Sequence, residues 1–164
     1  MTLKRVVLAF IILMAALSRL IPHPPNFTPI IAMGLLGGVY FKNRQFAVIV
    51  PLLAMMVSDM VLGLHGTMIW VYSSIIVISL SASFLKPKMV HLGFASIGSS
   101  LFFFLVTNFG IWSLGSYGYS FEGLVTCYTL AIPFFAHTLI STIIFSSIIE
   151  AIVARKFLLK KIFN

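Results

Sequence analysis

The sequence predicts an all-α integral membrane protein with six transmembrane helices and both termini on the cytoplasmic side. Three observations carry that prediction. Of 164 residues, 60% are hydrophobic and only 9% are charged, against about 25% charged in a soluble domain. Ten of the eleven Lys and Arg residues fall at Lys4/Arg5, Lys42/Arg44, Lys86/Lys88, Arg155/Lys156 and Lys160/Lys161, between apolar hairpins whose opposite turns carry none. Positive charge beside span ends marks the cytoplasmic face. The third observation is that the polar residues inside the apolar stretches recur at one depth, as set out below.

The first span runs from about Leu3 to Ile21. Lys4/Arg5, an apolar run and Ala16-Leu17-Ser18 imitate a signal peptide, but cleavage would leave an odd number of spans, so the segment is expected to stay. A proline-rich outer loop follows, Pro22-His23-Pro24-Pro25-Asn26-Phe27-Thr28-Pro29. Four prolines forbid helix and keep it extended. The second span, Ile30 to Phe41, has 12 residues and covers roughly 18 Å, short of a bilayer core of about 30 Å. The loop is therefore expected to dip into the membrane, where buried or hydrated backbone is tolerated. Gly34 and Gly38 form a small-xxx-small pair that permits close helix packing, with a dimer face as the lesser use.

The third span runs from Phe46 to Leu64, the fourth from Met68 to Leu85 and the fifth from Met89 to Ile111. A Gly-, Ser- and Tyr-rich segment, Trp112 to Glu122, is expected to act as a lid, with Gly115 and Gly118 giving it freedom. The last apolar stretch, Gly123 to Val153, has 31 residues. Pro133 is expected to divide it into an interfacial piece and the true sixth span. The whole chain reads as one transmembrane domain.

Depth is counted from the basic anchor at the inner end of each helix. Arg19 is 14 residues past Arg5 and Asp59 is 15 past Arg44, which places both roughly 21–22 Å up. Tyr72 falls at the same level, Trp70 a little higher, and His137 and Asn108 at roughly 27–30 Å. A lone charge in the apolar core costs at least about 2.5–3.5 kcal/mol, so Arg19 and Asp59 are expected to pair or to share a hydrated cavity. An ion pair that only locks two spans together is the competing reading. Glu150, near the inner boundary, is expected to be satisfied by Arg155 or Lys156.

Other residues carry two readings each. Trp70, Tyr72, Trp112, Tyr117 and Tyr119 suit an interfacial aromatic belt or stacking on a ligand. His23 contacts ligand or caps its turn. His65 reads as a solvated turn residue, His91 as a helix-start residue, and Phe134 and Phe135 as packing. Cys127 reads as a small packing residue, with a soft ligand to a metal-bearing substrate as the alternative. Asn26-Phe27-Thr28, followed by Pro29, is a chance glycosylation triplet. The candidate substrate contacts are Arg19, His23, Asn26, Phe27, Asp59, Trp70, Tyr72, Asn108, Trp112, Tyr128 and His137.

Several function classes find no support. There is no phosphate-cradling Gly-Lys-Ser/Thr loop, no nucleophile elbow and no histidine pair at metal-site spacing. The three acids stand far apart, so no enzyme, cofactor or resident metal is expected. The net charge of +8 caps apolar segments rather than forming a stripe for nucleic acid, and its expected partner is anionic membrane lipid. With one cysteine, no intramolecular disulfide can form.

Several stretches resemble a known family. They are Ser18-Arg19 with the Pro22–Pro29 loop, Ser58-Asp59, Thr107-Asn108-Phe109-Gly110 with Trp112, and Gly123-Leu124 through Cys127-Tyr128 to Pro133-Phe134-Phe135. They look like a bacterial family of uncharacterised transport proteins related to S components, the substrate-binding subunits of energy-coupling-factor vitamin transporters. The His-Pro-Pro-Asn-Phe-Thr-Pro stretch is the most specific part. The resemblance implies a subunit of the bacterial inner membrane that takes up a small vitamin-like solute from outside, beside a coupling membrane subunit and its ATPases. It supplies no substrate. The Ala-xxx-Ala docking motif of the first span is absent, since Ala9 is followed at the fourth position by Leu13 and Ala15 by Arg19, so a solitary S component stays open. A structural or assembly membrane protein with no ligand is the alternative from another class, and an ion or proton channel is a third.

Overall fold

The computed structural model describes residues 14–41, 43–85 and 89–162, with the backbone alone for 89–90 and 154–162. The basic anchors Lys4, Arg5, Lys42, Lys86 and Lys88 lie outside the described residues, as do the side chains of Arg155, Lys156, Lys160 and Lys161. The described chain is helical, without strands: α1 (residues 14–20), α2 (Ile30–Tyr40), α3 (Arg44–Leu62), α4 (Met68–Ala82), α5 (Met89–Ser113) and α6 (Phe121–Ile162). Three of these helices, over Arg44–Leu62, His91–Ser113 and Phe121–Val153, are long and apolar enough to cross a membrane; α2 and α4 are shorter apolar helices.

The interior mixes aliphatic side chains such as Leu35, Val50, Met55, Ile75 and Ile78 with many small and hydroxylated ones, and the exterior carries large apolar ones. Ser58, Ser74, Ser79, Ser96, Ser100, Thr138, Ser141 and Thr142 are buried, while Met60, Ile69, Phe84, Phe94 and Phe121 are exposed. In water this distribution would be unfavourable; in lipid, where close van der Waals packing brings helices together, small residues belong at the contacts. Most buried hydroxyls are satisfied within their own helix by bonding a carbonyl three or four residues back, as Ser58 does to Ala54 and Met55, Ser100 to Ser96 and Thr142 to Thr138.

Short α2 is the centre of the bundle, packed against α3, α4, α5 and α6. Its 11 residues span only about 16 Å. It starts where Pro29 ends the loop, and eight of its residues are buried. Gly34 and Gly38 supply the close approach to α4: a Cβ on Gly34 would lie 2.8 Å from Ser79 Oγ, and one on Gly38 would lie 2.3 Å from the Ser79 carbonyl oxygen. The small-residue pair therefore serves packing within the chain. On the other side, α2 lies against the Ala47 backbone at Gly37, beside a carbonyl that Pro51 deprives of its helical donor. At the far end of α2, the Tyr40 hydroxyl donates to the Glu150 carboxylate of α6. Tyr40 is thus a partner of Glu150; the side chains of Arg155 and Lys156, expected there from the sequence, lie outside the described residues.

Two ends of the bundle can be told apart. At one, Arg44 stacks over the Phe84 ring, 4.7 Å from its centroid, bringing the start of α3 to the end of α4, and Asn43 caps α3 by accepting from the Gln45 N–H at 2.9 Å. At the other end lie the loop of residues 21–29 and the turns of 63–67 and 114–120, where Leu114 packs beside Gly66.

The expected break at Pro133 does not occur. Helix α6 runs unbroken for 42 residues with Pro133 inside it. The reason is lateral support. Phe104 of α5 packs on Tyr128 and on Phe135, with ring centroids 5.5 and 5.0 Å away, so α5 grips α6 on both sides of the proline. The lost hydrogen bond is then tolerated, as it is in packed membrane helices. Pro133 is also exposed, which keeps its ring out of the core.

The glycine packing predicts an asymmetry. Gly38→Ala should lower the thermal stability of the purified protein by about 1–3 kcal/mol through overpacking. Gly98→Ala, where an added Cβ meets nothing within 4 Å, should be neutral or mildly stabilising. Equal melting temperatures for the two variants would contradict the seat described for α2.

Candidate functional site

Above the start of α2 lies a cavity of about 390 Å³, within the range of about 300–1,000 Å³ typical of small-molecule sites. It exists because α2 is short: the longer neighbours rise past its first residue, and the loop of 21–29 fills only part of the space left. Ile30 and Ile31 form its floor. The loop contributes His23, Pro25, Asn26 and Thr28, the α3–α4 turn contributes His65 and Thr67, and α5 and α6 supply Phe103, Phe104, Thr107, Asn108, Phe134, Phe135 and Thr138. Exposed Pro25, Asn26 and His65 carry it to the surface at the loop end.

The loop holds its shape through one tight turn. The Phe27 N–H donates to the Pro24 carbonyl at 3.0 Å, with Pro25 and then Asn26 at the two central positions. Asn26 has a φ of 63°, the left-handed conformation that asparagine tolerates better than most residues and that a type II turn needs at that place. From there the loop reaches deep along α6. Phe27 packs on Phe145 with ring centroids 5.9 Å apart, and the Asn26 carbonyl accepts from Ser141 Oγ at 3.5 Å. The Asn26–Phe27 part of the loop therefore lies against α6, while Pro22, Pro24, Pro25 and Asn26 stay exposed.

Arg19 and Asp59 meet. Arg19 Nη1 donates to Asp59 Oδ1 at 2.6 Å, to the Met55 carbonyl at 3.2 Å and to Ser58 Oγ. Tyr72 donates its hydroxyl to Asp59 Oδ2 at 2.7 Å. Asp59 is 1% exposed and Arg19 15%, so the two partners have different positions. Arg19 lines the cavity, whereas Asp59 and Tyr72 stand behind it and hold it. The network ties α1, α3 and α4 together.

The remaining candidates divide cleanly. His23, Asn26 and Asn108 line the cavity with Arg19. His23 Nδ1 lies 2.8 Å from the Pro24 carbonyl, so it braces its turn as well. Asn108, 8% exposed, donates Nδ2 to the Phe104 carbonyl at 2.8 Å. Phe27, Asp59, Trp70, Tyr72, Trp112, Tyr128 and His137 are outside the lining. Trp70 sits in the notch at Gly110, where a Cβ would come within 2.3 Å of its ring, and edges onto Phe109 at 5.5 Å. Trp112 follows Phe109 at 5.5 Å and donates Nε1 to the Ser120 carbonyl at 3.3 Å. Tyr128 donates to the Leu105 carbonyl at 2.6 Å. His137 Nδ1 is buried and has no partner among the described residues. Cys127 is buried, with its thiol directed at the Asn108 backbone carbonyl at 3.4 Å.

Residues 112–122, read as a lid, contribute nothing to the lining. They form a compact turn, with Tyr119 edge-on to Trp112 at 6.5 Å and Gly123 N–H donating to Ser120 Oγ at 3.1 Å as α6 begins. The loop of 21–29 and the His65 turn border the cavity instead. Phe134 and Phe135, read as packing residues, are among its walls, and Thr107 and Thr138 carried no signal in the sequence beyond lying next to Asn108 and His137. No cluster of three or more metal-ligating side chains occurs among the described residues.

The ion pair predicts a non-additive cycle. Arg19→Met strands a buried carboxylate and should cost about 3–5 kcal/mol, while pairing it with Asp59→Leu should recover much of that loss. Thermal unfolding of the two single variants and the double variant measures the coupling; additive effects would mean the pair contributes little.

No curated protein and no solved structure matches this chain. A family model described as a family of unknown function, DUF6580, matches residues 1–160, and the chain belongs to that family.

Proposed function

We propose that the chain is a substrate-binding and transport subunit of the bacterial cytoplasmic membrane, taking up a small vitamin-like solute from outside. One observation carries the reading: a cavity of about 390 Å³, reached from the loop end, into which a partly exposed arginine is held by a buried carboxylate and a tyrosine. A charge placed that deep is a functional signal by default. A polar pocket open to the outside is also what the likeness to S components leads one to expect.

In this reading six helices cross the membrane, and the basic residues set the cavity end outside by the positive-inside rule. The solute reaches the cavity past His23, Asn26 and His65 and is held between Arg19 and Asn108. Asp59 and Tyr72 position Arg19. The energy comes from a coupling membrane subunit with ATPases. Because the first span has no Ala-xxx-Ala motif, a solitary subunit that relies on trapping of the solute inside the cell is the variant of this scheme. No catalytic step is assigned to the chain.

A scaffold reading has one observation in its favour: Arg19, Asp59 and Tyr72 join three helices, which a purely structural lock would also do. Solvent access separates the two. In a Cys127→Ala background, Asn108→Cys should react with a membrane-impermeant, water-soluble thiol reagent added from outside, and a solute that co-purifies with the wild-type chain should be identifiable by mass spectrometry and should slow that reaction. An Asn108→Cys side chain that stays unmodified in the folded protein, with no co-purifying solute, would favour the scaffold.

A further inference from the structure

The cavity walls are polarised, and the polarity names a class of ligand. Among the described residues that line the cavity, Arg19 is the one permanent charge, beside the imidazoles of His23 and His65 and no carboxylate. Its three hydrogen bonds all leave from Nη1. Among the described residues, no acceptor meets Nε or Nη2, which leaves part of a rigid donor fork suited to a carboxylate. Asp59, 1% exposed, is covered by Arg19 and already accepts from Tyr72, so it offers nothing to a cation in the cavity.

The floor has the same sign. Helix α2 begins at Pro29 with no side-chain cap, and Ile30 and Ile31 at its first turn line the cavity. The first N–H groups of a helix have no partner within it and carry its partial positive charge. From α5 and α6 the cavity takes four phenylalanines, Phe103, Phe104, Phe134 and Phe135, interspersed with Thr107, Asn108 and Thr138.

We infer that the cavity selects an aromatic or flat apolar monoanion, with its carboxylate on Arg19 and its ring against the α5–α6 phenylalanines. This rests on the solute-binding reading above and goes beyond it by naming the class. A cationic ligand would face Arg19 with no carboxylate to receive it. A dianion would bring a second negative group to a cavity whose lining offers one guanidinium, with only part of its donor fork free. A neutral ligand would leave the free donors of Arg19 to water and forgo the charge-assisted hydrogen bonds a carboxylate makes.

The test uses three fluorescent probes of one shape: 2-naphthylacetate, 2-naphthylacetamide and 2-(2-naphthyl)ethylamine, titrated against the purified full-length chain. The carboxylate should bind about tenfold or more tighter than the amide, as expected for a hydrogen bond to a charged group, with the amine weakest. Arg19→Gln should erase the preference. Because that variant strands Asp59, the neutral pair Arg19→Gln/Asp59→Asn serves as the second variant and should give equal affinities for carboxylate and amide. Phe135→Ala should weaken the carboxylate and the amide alike. Amide or amine binding as tight as the carboxylate, a preference that survives the neutral pair, or no binding of any probe would overturn the monoanion assignment. The solute-binding reading is judged apart from this, by thiol accessibility and co-purified solute, so a wrong ligand class and a wrong function give different results.

Discussion

The ion pair between Arg19 and Asp59 is the constraint around which the structure is arranged. Removing two charges from water is costly, and their attraction offsets that only with good geometry and further hydrogen bonds. The chain supplies both. Asp59 receives Arg19 on one oxygen and Tyr72 on the other, and Arg19 adds the Met55 carbonyl and Ser58. To do so, α1 must end beside α3, and α4 must present Tyr72 at the same height. The two partners are not equally covered, at 15% and 1% exposure. A lock for helices alone has no need of that inequality; a guanidinium held at the edge of a cavity does.

The cavity itself follows from a length. An 11-residue α2 cannot match neighbours of 19, 25 and 42 residues. The difference has to be filled by the loop of 21–29 or left open. Proline at four positions keeps that loop from extending the helix upward, and Asn26 at a positive φ turns it back. Tight contacts around α2 are then obtained by removing side chains, through Gly34, Gly37 and Gly38. Space is concentrated at the top of α2 because it is eliminated along its sides.

Depth was legible in the sequence and direction was not. Counting residues from basic anchors placed Arg19, Asp59 and Tyr72 at one level, and those three side chains do meet. The count says nothing about which way a side chain faces. On α6 the cavity face carries Phe134, Phe135 and Thr138; at about 100° per residue these span an arc of about 100°, and His137 falls about 60° outside it on the Phe134 side. Trp70 and Trp112 were at plausible heights too, but Gly110 provides a seat that only three-dimensional packing reveals. Helix boundaries followed apolar runs well, with Pro133 as the exception. Its effect depends on whether a neighbouring helix holds both halves, and the grip of Phe104 on Tyr128 and Phe135 joins residues 24 and 31 positions apart. His65 looked like a solvated turn residue because its own segment is short and polar; its place at the rim comes from the loop of 21–29 packing opposite.

One helix joins the two ends of the molecule. The first turn of α2 is the cavity floor, and its last residue, Tyr40, bonds Glu150 of α6. Over about 16 Å of rigid helix, the groups that would sense a solute and the contact that closes the opposite end belong to a single element. Gly34 and Gly38 seat α2 tightly on α4 below that floor, so under the proposed transport role α2 is the element a solute would meet. The Tyr40–Glu150 bond and the contacts of Gly34 and Gly38 with Ser79 both oppose movement of α2. If the proposed transport role holds, passage would turn on how α2 is released, and the packing that holds α2 can be altered one glycine at a time.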